Sequence, residues 1–119
     1  MNQYEVPALI ADHFPETGNE IIYQATLGNA YQTMSVLSRF MRKKVMAHQF
    51  NKVFKCLQLA DYIYVHGNPE VRNAVENAFV YSFSQSAHCC NQKEWELVKA
   101  HIPARLYNLY IKQVIGYGV

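Results

Sequence analysis

The sequence contains few residues that break or cross-link a chain. Only four prolines, five glycines and three cysteines occur among 119 residues. So little glycine and proline excludes a collagen-like or linker-like chain. A small and odd number of cysteines excludes a disulfide framework and is typical of a reducing cytoplasm. Charged residues amount to 17% and hydrophobic residues to 50%, which excludes a disordered tail and predicts one substantial core.

Long hydrophobic runs and a secretory signal are also missing. No stretch approaches the ~18 to 20 apolar residues of a membrane span. Residues 1–10 contain neither a basic residue nor a long apolar run. We therefore expect a soluble cytoplasmic protein without a membrane partner. The length of 119 residues predicts one domain, 1–119.

Apolar residues recur at helical spacing along most of the chain. The longest stripe belongs to a helix that starts near Thr26, and its members are Leu27, Tyr31, Met34, Leu37, Met41 and Val45. Capping residues and apolar spacing predict five further helices. These cover 6–14, 50–66, 69–85, 91–98 and 103–114.

Three short segments are less regular. Residues 16–20 (Glu-Thr-Gly-Asn-Glu) are typical of a polar, mobile turn, whereas the apolar run 21–23 fits a strand as well as a helix. The tail 116–119 breaks the helical pattern and is expected to fray. Because other strand signals are nearly absent, the sequence predicts an all-α fold: a single compact bundle of five or six antiparallel helices.

The strongest local signal lies at 67–70. Gly67 is the residue type that ends a helix in a left-handed cap. Asn68 is a favourable N-cap, and Pro69 suits the first position of a helix. The carboxylate of Glu70 follows near the positive end of that helix. Two helices are therefore expected to meet at a tight corner here.

Charge is distributed unevenly although the net charge is only +2. Residues 1–38 contain four acids and no Lys or Arg, whereas 39–55 contain six bases and no acid. We call these six bases the basic patch: Arg39, Arg42, Lys43, Lys44, Lys52 and Lys55. Such a patch is typical of binding to a phosphate, a nucleic acid or an acidic partner, but also of a solvated helix end. Since no glycine-rich or aromatic recognition motif accompanies it, the solvated helix end is favoured.

Residues that carry catalysis or bind metals do not occur at the spacings those functions need. The sequence has no Gly-x-Ser-x-Gly, no phosphate-binding loop and no His-Glu-x-x-His. We therefore predict neither an enzyme nor a cofactor. His88, Cys89 and Cys90 are three potential ligands in a row, but adjacent side chains seldom converge on a tetrahedral metal. We predict no metal site and a partly buried turn there, with Cys56 in the core.

Tyrosine is abundant in this sequence, which contains nine tyrosines, and this excess is the most informative feature of its composition. Tyrosine combines a large contact area with a hydrogen-bonding hydroxyl and is enriched at interfaces. In a small domain it also lies at the edge of the core, so both uses stay open. The two helices that meet at Gly67 and the C-terminal helix supply the candidate binding residues, which are Tyr62, Tyr64, Arg72, Tyr81, Tyr107 and Tyr110.

Within residues 54–83, the run LQLADYIYVHGNPEVRNAVENAFVYSF resembles a group of small bacterial helical domains of unknown function, some of which occur beside toxin systems as immunity-type proteins. The features that carry the resemblance are the helix that ends at Gly67, the acidic Glu70 and the aromatic Phe79. The run is also similar to the helix corner of HEAT-like repeats, in which an arginine, here Arg72, bridges neighbouring turns. One corner is not a repeat array, which needs several stacked copies. The resemblance implies a helical fold and a binding role, without catalytic residues.

The missing catalytic motifs, the tyrosines and the resemblance together predict a non-enzymatic helical domain that binds another protein and is immunity-like. The alternative is binding of a nucleic acid or a phosphate through the basic patch. Self-association of two copies is left open.

Overall fold

Seven helices account for most of the part of the chain that the structure describes. The computed structural model describes the backbone of residues 1–117 and the side chains of 1–21, 23 and 27–115. Within these residues there is no strand, so the all-α prediction is confirmed. The helices are α1 (Val6–His13), α2 (Gly18–Leu27), α3 (Ala30–Met46), α4 (Phe50–His66), α5 (69–88), α6 (Gln92–Ala100) and α7 (Ala104–Tyr117).

The count of five or six helices is too low because of α2. The polar turn predicted at 16–20 is wrong: a short 3-10 helix, Pro15–Thr17, leads directly into α2 at Gly18. The ambiguous run 21–23 lies inside α2 and is helical. Residues 116 and 117, predicted to fray, are helical as well, and the remaining tail residues lie outside the described part of the chain. The antiparallel arrangement of neighbouring helices stays a prediction.

The single long helix predicted from Thr26 is divided by a corner at Gly28. Gly28 has a φ of 62°, a left-handed conformation that glycine adopts without strain. Asn29 then caps α3, because its side chain accepts a hydrogen bond from the Gln32 amide at 3.0 Å. Leu27 and Tyr31, which were assigned to the buried stripe, flank this corner and are exposed. Spacing alone did not reveal the corner because the apolar residues keep a helical period across it.

Helix α3 lies at the centre of the fold and packs against α1, α2, α4 and α5. The other members of its predicted stripe, Met34, Leu37, Met41 and Val45, are at most 1% exposed. Aromatic side chains from other helices, Phe14, Phe79 and Phe83, belong to the same continuous buried cluster. Each buried large side chain of this kind contributes about 1.5–3 kcal/mol of hydrophobic stabilisation. The fold therefore depends mainly on the burial of α3.

The corner between α4 and α5 forms as predicted, but for a different reason at Gly67. Gly67 has φ −75° and ψ 151°, so the predicted left-handed cap is wrong. A Cβ atom on Gly67 would lie 2.6 Å from Cγ1 of Val71 and 2.7 Å from the carbonyl oxygen of Ile63. Glycine is needed here because the two helices approach closely. The Asn68 side chain accepts from the Val71 amide at 2.9 Å, which confirms the predicted N-cap.

Helix α5 changes its winding along its length. It is α-helical over Pro69–Ala74, π-helical over Val75–Phe79, 3-10 over Val80–Ser82 and α-helical again over Phe83–His88. The carbonyl oxygen of Glu76, in the π-helical turn, accepts a 2.9 Å hydrogen bond from the side-chain amide of Gln113 on α7. Irregular turns of this kind occur frequently at functional sites. Here the turn is tied to the last helix.

We expect Gly67→Ala to destabilise the protein by about 1–3 kcal/mol, since the added methyl group overpacks the corner. Gly67→Asn should destabilise it at least as much, because the requirement is space and not a left-handed backbone. Urea unfolding measures both changes. Gly18→Ala is the matched control: no atom lies within 4 Å of its Cβ position, so a gain of about 0.4–1 kcal/mol is expected. Tolerance of Asn at 67 would contradict the steric explanation.

Candidate functional site

The six candidate binding residues do not form one surface. Tyr62 is exposed on α4, and Tyr107 is half-buried against the core. Tyr64 is also half-buried, with the guanidinium of Arg72 5.9 Å from the centroid of its ring. This pair braces the α4–α5 corner by a cation–π contact. Only Tyr81 and Tyr110 are brought together in one concave site.

That site is a groove of about 300 Å³ between α5 and α7, which we call the α5/α7 groove. Its lining consists of Tyr81, Ser84, Gln85, Tyr110, Gln113 and Val114. Residues 81, 84 and 85 are spaced by three and four along α5, and residues 110, 113 and 114 are spaced in the same way along α7. Each helix therefore presents one face to the groove.

The edge of the α5/α7 groove is apolar and exposed. Among its lining residues, Tyr81 is 59% exposed and Val114 is 50% exposed. Along α7, burial decreases from Leu106, which is fully buried, to Val114. Clustered exposed apolar side chains are typical of interaction sites.

The polar side chains of the α5/α7 groove are uncharged, and two of them are already positioned. Gln113 donates to the Glu76 carbonyl as described above, and Gln85 accepts a hydrogen bond from Arg42 of the basic patch. The ring of Tyr110 packs against Phe83 at 5.6 Å and Trp95 at 6.3 Å between centroids. The groove is therefore held in shape by contacts on both of its walls.

Sequence reasoning identified Tyr81 and Tyr110 but missed the residues beside them. Ser84, Gln85 and Gln113 carry no distinctive motif. The available signal was helical spacing: each lies three or four positions from one of the two tyrosines. Three further exposed tyrosines, Tyr4, Tyr23 and Tyr31, were also not singled out.

The basic patch is largely engaged within the molecule. Arg39 pairs with Glu20, and the Nζ atom of Lys52 lies 3.9 Å from a carboxylate oxygen of Glu16. Lys44 lies 5.1 Å from the centroid of the Phe40 ring, while Lys43 and Lys55 are exposed. Two of the four acids in the first third of the sequence therefore lie beside bases of the patch.

The His-Cys-Cys run lies where α5 ends. Cys89 and Cys90 are half-buried in the turn that follows α5, as predicted. The thiol of Cys90 donates to the carbonyl oxygen of Ser86 at 3.5 Å. Burial, more than the nearby Glu94 or Cys89, raises the pKa of Cys90. In the described residues, no three His, Cys, Asp or Glu side chains are grouped so that they could hold a metal ion.

A comparison with models of protein families found one family that covers nearly all of the helices. The model of a domain of unknown function, DUF7674, matches residues 7–116. The chain belongs to the DUF7674 family. Neither the comparison with curated proteins nor that with solved structures found a match. The match to DUF7674 includes the α5/α7 groove and the basic patch, and the family description assigns no role to either.

Two broader predictions about the DUF7674 domain have different outcomes. Over the described residues, no helix has both the length and the apolar character needed to cross a membrane. The bacterial origin and the immunity-like role implied by the resemblance stay predictions.

We expect Cys56 to be inert to thiol reagents in the folded DUF7674 domain. Cys56 is fully buried, and burial, with a smaller effect of Glu16, raises its pKa to about 12. Because the thiolate is the reactive species, 5,5′-dithiobis(2-nitrobenzoate) should modify only the other two cysteines until the protein is denatured. Cys56→Ala should leave the native thiol count unchanged and lower the denatured count by one. Rapid modification of Cys56 in the native protein would contradict this packing.

We also expect Glu94 to make the fold sensitive to acid. Glu94 and Asn91 form a capping box at the start of α6, and the ring Nδ1 of His48 donates to the carboxylate at 2.7 Å. The hydrogen bond from the backbone amide of Asn91 lowers the pKa of the Glu94 carboxyl, and the hydrogen bond from His48 lowers it further, by a smaller amount. A carboxyl with a lowered folded-state pKa stabilises the fold above its unfolded pKa, and this contribution is lost as the pH falls through the folded pKa.

Glu94→Gln keeps an oxygen acceptor for the cap but removes the charge. Its unfolding temperature should therefore fall less than that of the wild type as the pH is lowered below the ordinary glutamate range. Glu96→Gln, which removes a carboxylate that caps no helix, is the control and should retain the wild-type profile. Identical acid profiles for Glu94→Gln and the wild type would contradict the role of this carboxylate.

Proposed function

We propose that this DUF7674 domain is a non-enzymatic protein-binding module, and that a segment of its partner lies in the α5/α7 groove. The observation that carries the proposal is the meeting of Tyr81 and Tyr110 in an uncharged groove with an exposed apolar edge. The occupant is an apolar side chain of the partner together with the backbone on either side of it.

The apolar edge supports this occupant energetically. Tyr81 and Val114 are each at least half exposed, so a partner would remove apolar surface from water, which stabilises the complex by about 25 cal/mol per Å². Interfaces are enriched in tyrosine and depleted of charge at their centre. Both properties are met in this groove, whose lining contains neither a carboxylate nor a cationic side chain.

The polar lining supports recognition of a polypeptide. The hydroxyl and amide groups of Ser84, Gln85 and Gln113 offer both donors and acceptors, as the backbone of a bound segment requires. Tyrosine beside small or amide side chains is the combination that binding loops of antibodies use, since tyrosine adds rigid contact area and the polar residues adapt their hydrogen bonds.

The order of the groove also supports binding. Tyr110 is fixed between Phe83 and Trp95, and the two glutamines are held by Arg42 and by the Glu76 carbonyl. Side chains that are already ordered lose little rotamer freedom when a partner binds, which lowers the entropic penalty of association.

The same lining supports the non-enzymatic part of the proposal. Ser84 and the two tyrosines carry hydroxyl groups, but no histidine, carboxylate, lysine or cysteine lines the groove to act as their base. The resemblance to immunity-type domains supports a toxin as the partner. Three free cysteines support a cytoplasmic location for the encounter.

Binding of a nucleic acid or a phosphate through the basic patch is the less well supported alternative. Arg39 and Lys52 are paired with carboxylates, and Arg42 is bonded to Gln85. A nucleic acid would have to compete with these contacts for three of the six bases. Its binding would weaken steeply with added salt, whereas that of an uncharged groove would not.

The test places a photo-cross-linking amino acid at position 84 and, as a control, at position 23. Ser84 lies in the groove, whereas Tyr23 is 64% exposed on α2. We expect a protein that is cross-linked from position 84 and not from position 23. With that protein purified, Tyr81→Ala should weaken binding about tenfold or more, as is typical of a central interface tyrosine.

Tyr23→Ala is the matched control and should bind like the wild type. Circular dichroism and thermal unfolding confirm that both variants fold. Cross-linking of the same proteins from both positions, or equal affinity of Tyr81→Ala and Tyr23→Ala for the purified partner, would overturn the proposal. A steep salt dependence with loss of binding in Lys43→Glu would favour the basic patch instead.

A further inference from the structure

A second groove lies between α1 and α4, away from the residues of the α5/α7 groove. It has a volume of about 480 Å³, within the ~300–1,000 Å³ of sites that bind small molecules. We call it the α1/α4 groove. Nothing in the proposed protein-binding role uses it.

The floor of the α1/α4 groove is apolar and firmly packed. It consists of Leu9, Phe14 and Leu59. Phe14 is 1% exposed and packs on Phe40 of α3 with ring centroids 4.8 Å apart. Since Phe40 itself belongs to the buried cluster, the floor rests directly on the core and cannot collapse into the groove without disturbing α3.

One wall of the groove is a polar face of α4. Lys55, Gln58 and Tyr62 line it at spacings of three and four residues, which places them on one side of the helix. From position 55 to position 62 the helix rises about 10 Å. A cation therefore lies near one end of this wall and a tyrosine near the other, with an amide between them.

The opposite wall contributes His13 of α1. The ring Nδ1 of His13 lies 3.0 Å from the carbonyl oxygen of Leu9. Because a carbonyl oxygen only accepts, Nδ1 carries the proton and donates. The other ring nitrogen, Nε2, is left for a ligand. None of the groups that line this groove is a carboxylate.

We propose that the α1/α4 groove binds a small molecule with a flat apolar body and one carboxylate. The body lies on Phe14, Leu59 and Leu9, and the carboxylate is bound by Lys55. Gln58 and Tyr62 supply hydrogen bonds along the rest of the wall. Lys55 is the only lysine or arginine in the lining. Its single charge matches one carboxylate better than a phosphate monoester, which carries a charge of about −1.5 to −2 at pH 7.

Two acidic residues near this part of α4 pair with other bases and not with Lys55. Asp61 pairs with Arg105. Glu16, in the 3-10 helix Pro15–Thr17, has its carboxylate 3.9 Å from the Nζ atom of Lys52, one turn before Lys55 on α4. Lys52 does not line the groove. Lys52 can therefore serve as a control for Lys55 on the same helix. Lys52 has a partner within the chain and lies outside the groove, whereas Lys55 lies in the groove.

The experiment compares two probes of the same shape. Each is titrated into isotopically labelled protein, and binding is measured from the changes in the amide chemical shifts by NMR. Indole-3-acetate carries the carboxylate, and indole-3-acetamide replaces it with a neutral amide. We expect the largest shifts in α1 and α4, and about fivefold tighter binding of the acetate, the effect of one solvent-exposed charge pair. Lys55→Gln should remove this preference, and Lys52→Gln should retain it.

Two further measurements test where the probes bind and which class of ligand the groove prefers. Gln58→Trp fills the groove from an exposed position and should abolish binding of both probes. N-acetyl-Glu-Trp-amide offers a carboxylate and an indole as part of a peptide, and we expect it to bind no more tightly than indole-3-acetate. Equal affinity for acetate and acetamide, shifts outside α1 and α4, or loss of the preference in Lys52→Gln would overturn the proposal. Tenfold tighter binding of the peptide would also overturn it, in favour of a protein ligand.

Discussion

Burial of one face of α3 is the interaction on which the other features of the structure depend. Helices that precede and follow α3 in the chain pack on this face and remove Met34, Leu37, Met41 and Val45 from water. Because α1, α4 and α5 all pack on this one helix, the spaces left between them are set by how each helix lies on α3. The α1/α4 groove is such a space: its floor residue Phe14 rests on Phe40 of α3. The core and the surface sites are therefore two consequences of one packing arrangement.

Electrostatics in this molecule act mainly within the chain. The acids and bases that the sequence separates are brought together as surface pairs such as Arg39 with Glu20. A pair of this kind contributes about 0–1 kcal/mol, so it orients helices without holding the fold together. Uneven charge along a sequence therefore does not imply a charged face in the fold, because segments of opposite charge can become neighbours.

The sequence predicts those features that depend on a few adjacent residues. The cap at Asn68, the buried stripe of α3 after Tyr31 and the burial of Cys56 are set by local spacing, and all are confirmed. The corner at Gly28 was missed because the apolar period continues across it. The π-helical turn and the two grooves were missed because each depends on segments that are distant in sequence. Tyr81 could be suspected from its residue type, but its neighbour across the groove is 29 positions away, at Tyr110.

The two grooves differ in charge, and this difference suits them to different ligands. The α5/α7 groove has uncharged amides and an exposed apolar edge, so its binding energy would come from surface removed from water over a wide area. The α1/α4 groove has one lysine above a deep apolar floor, so it would select a small molecule by one charge. Both grooves border helices that pack on α3. A ligand that drew α1 closer to α4 would therefore change the shape of the α5/α7 groove only if it also shifted α3 or α5. Since the buried face of α3 is closely packed, the two sites should bind their ligands nearly independently.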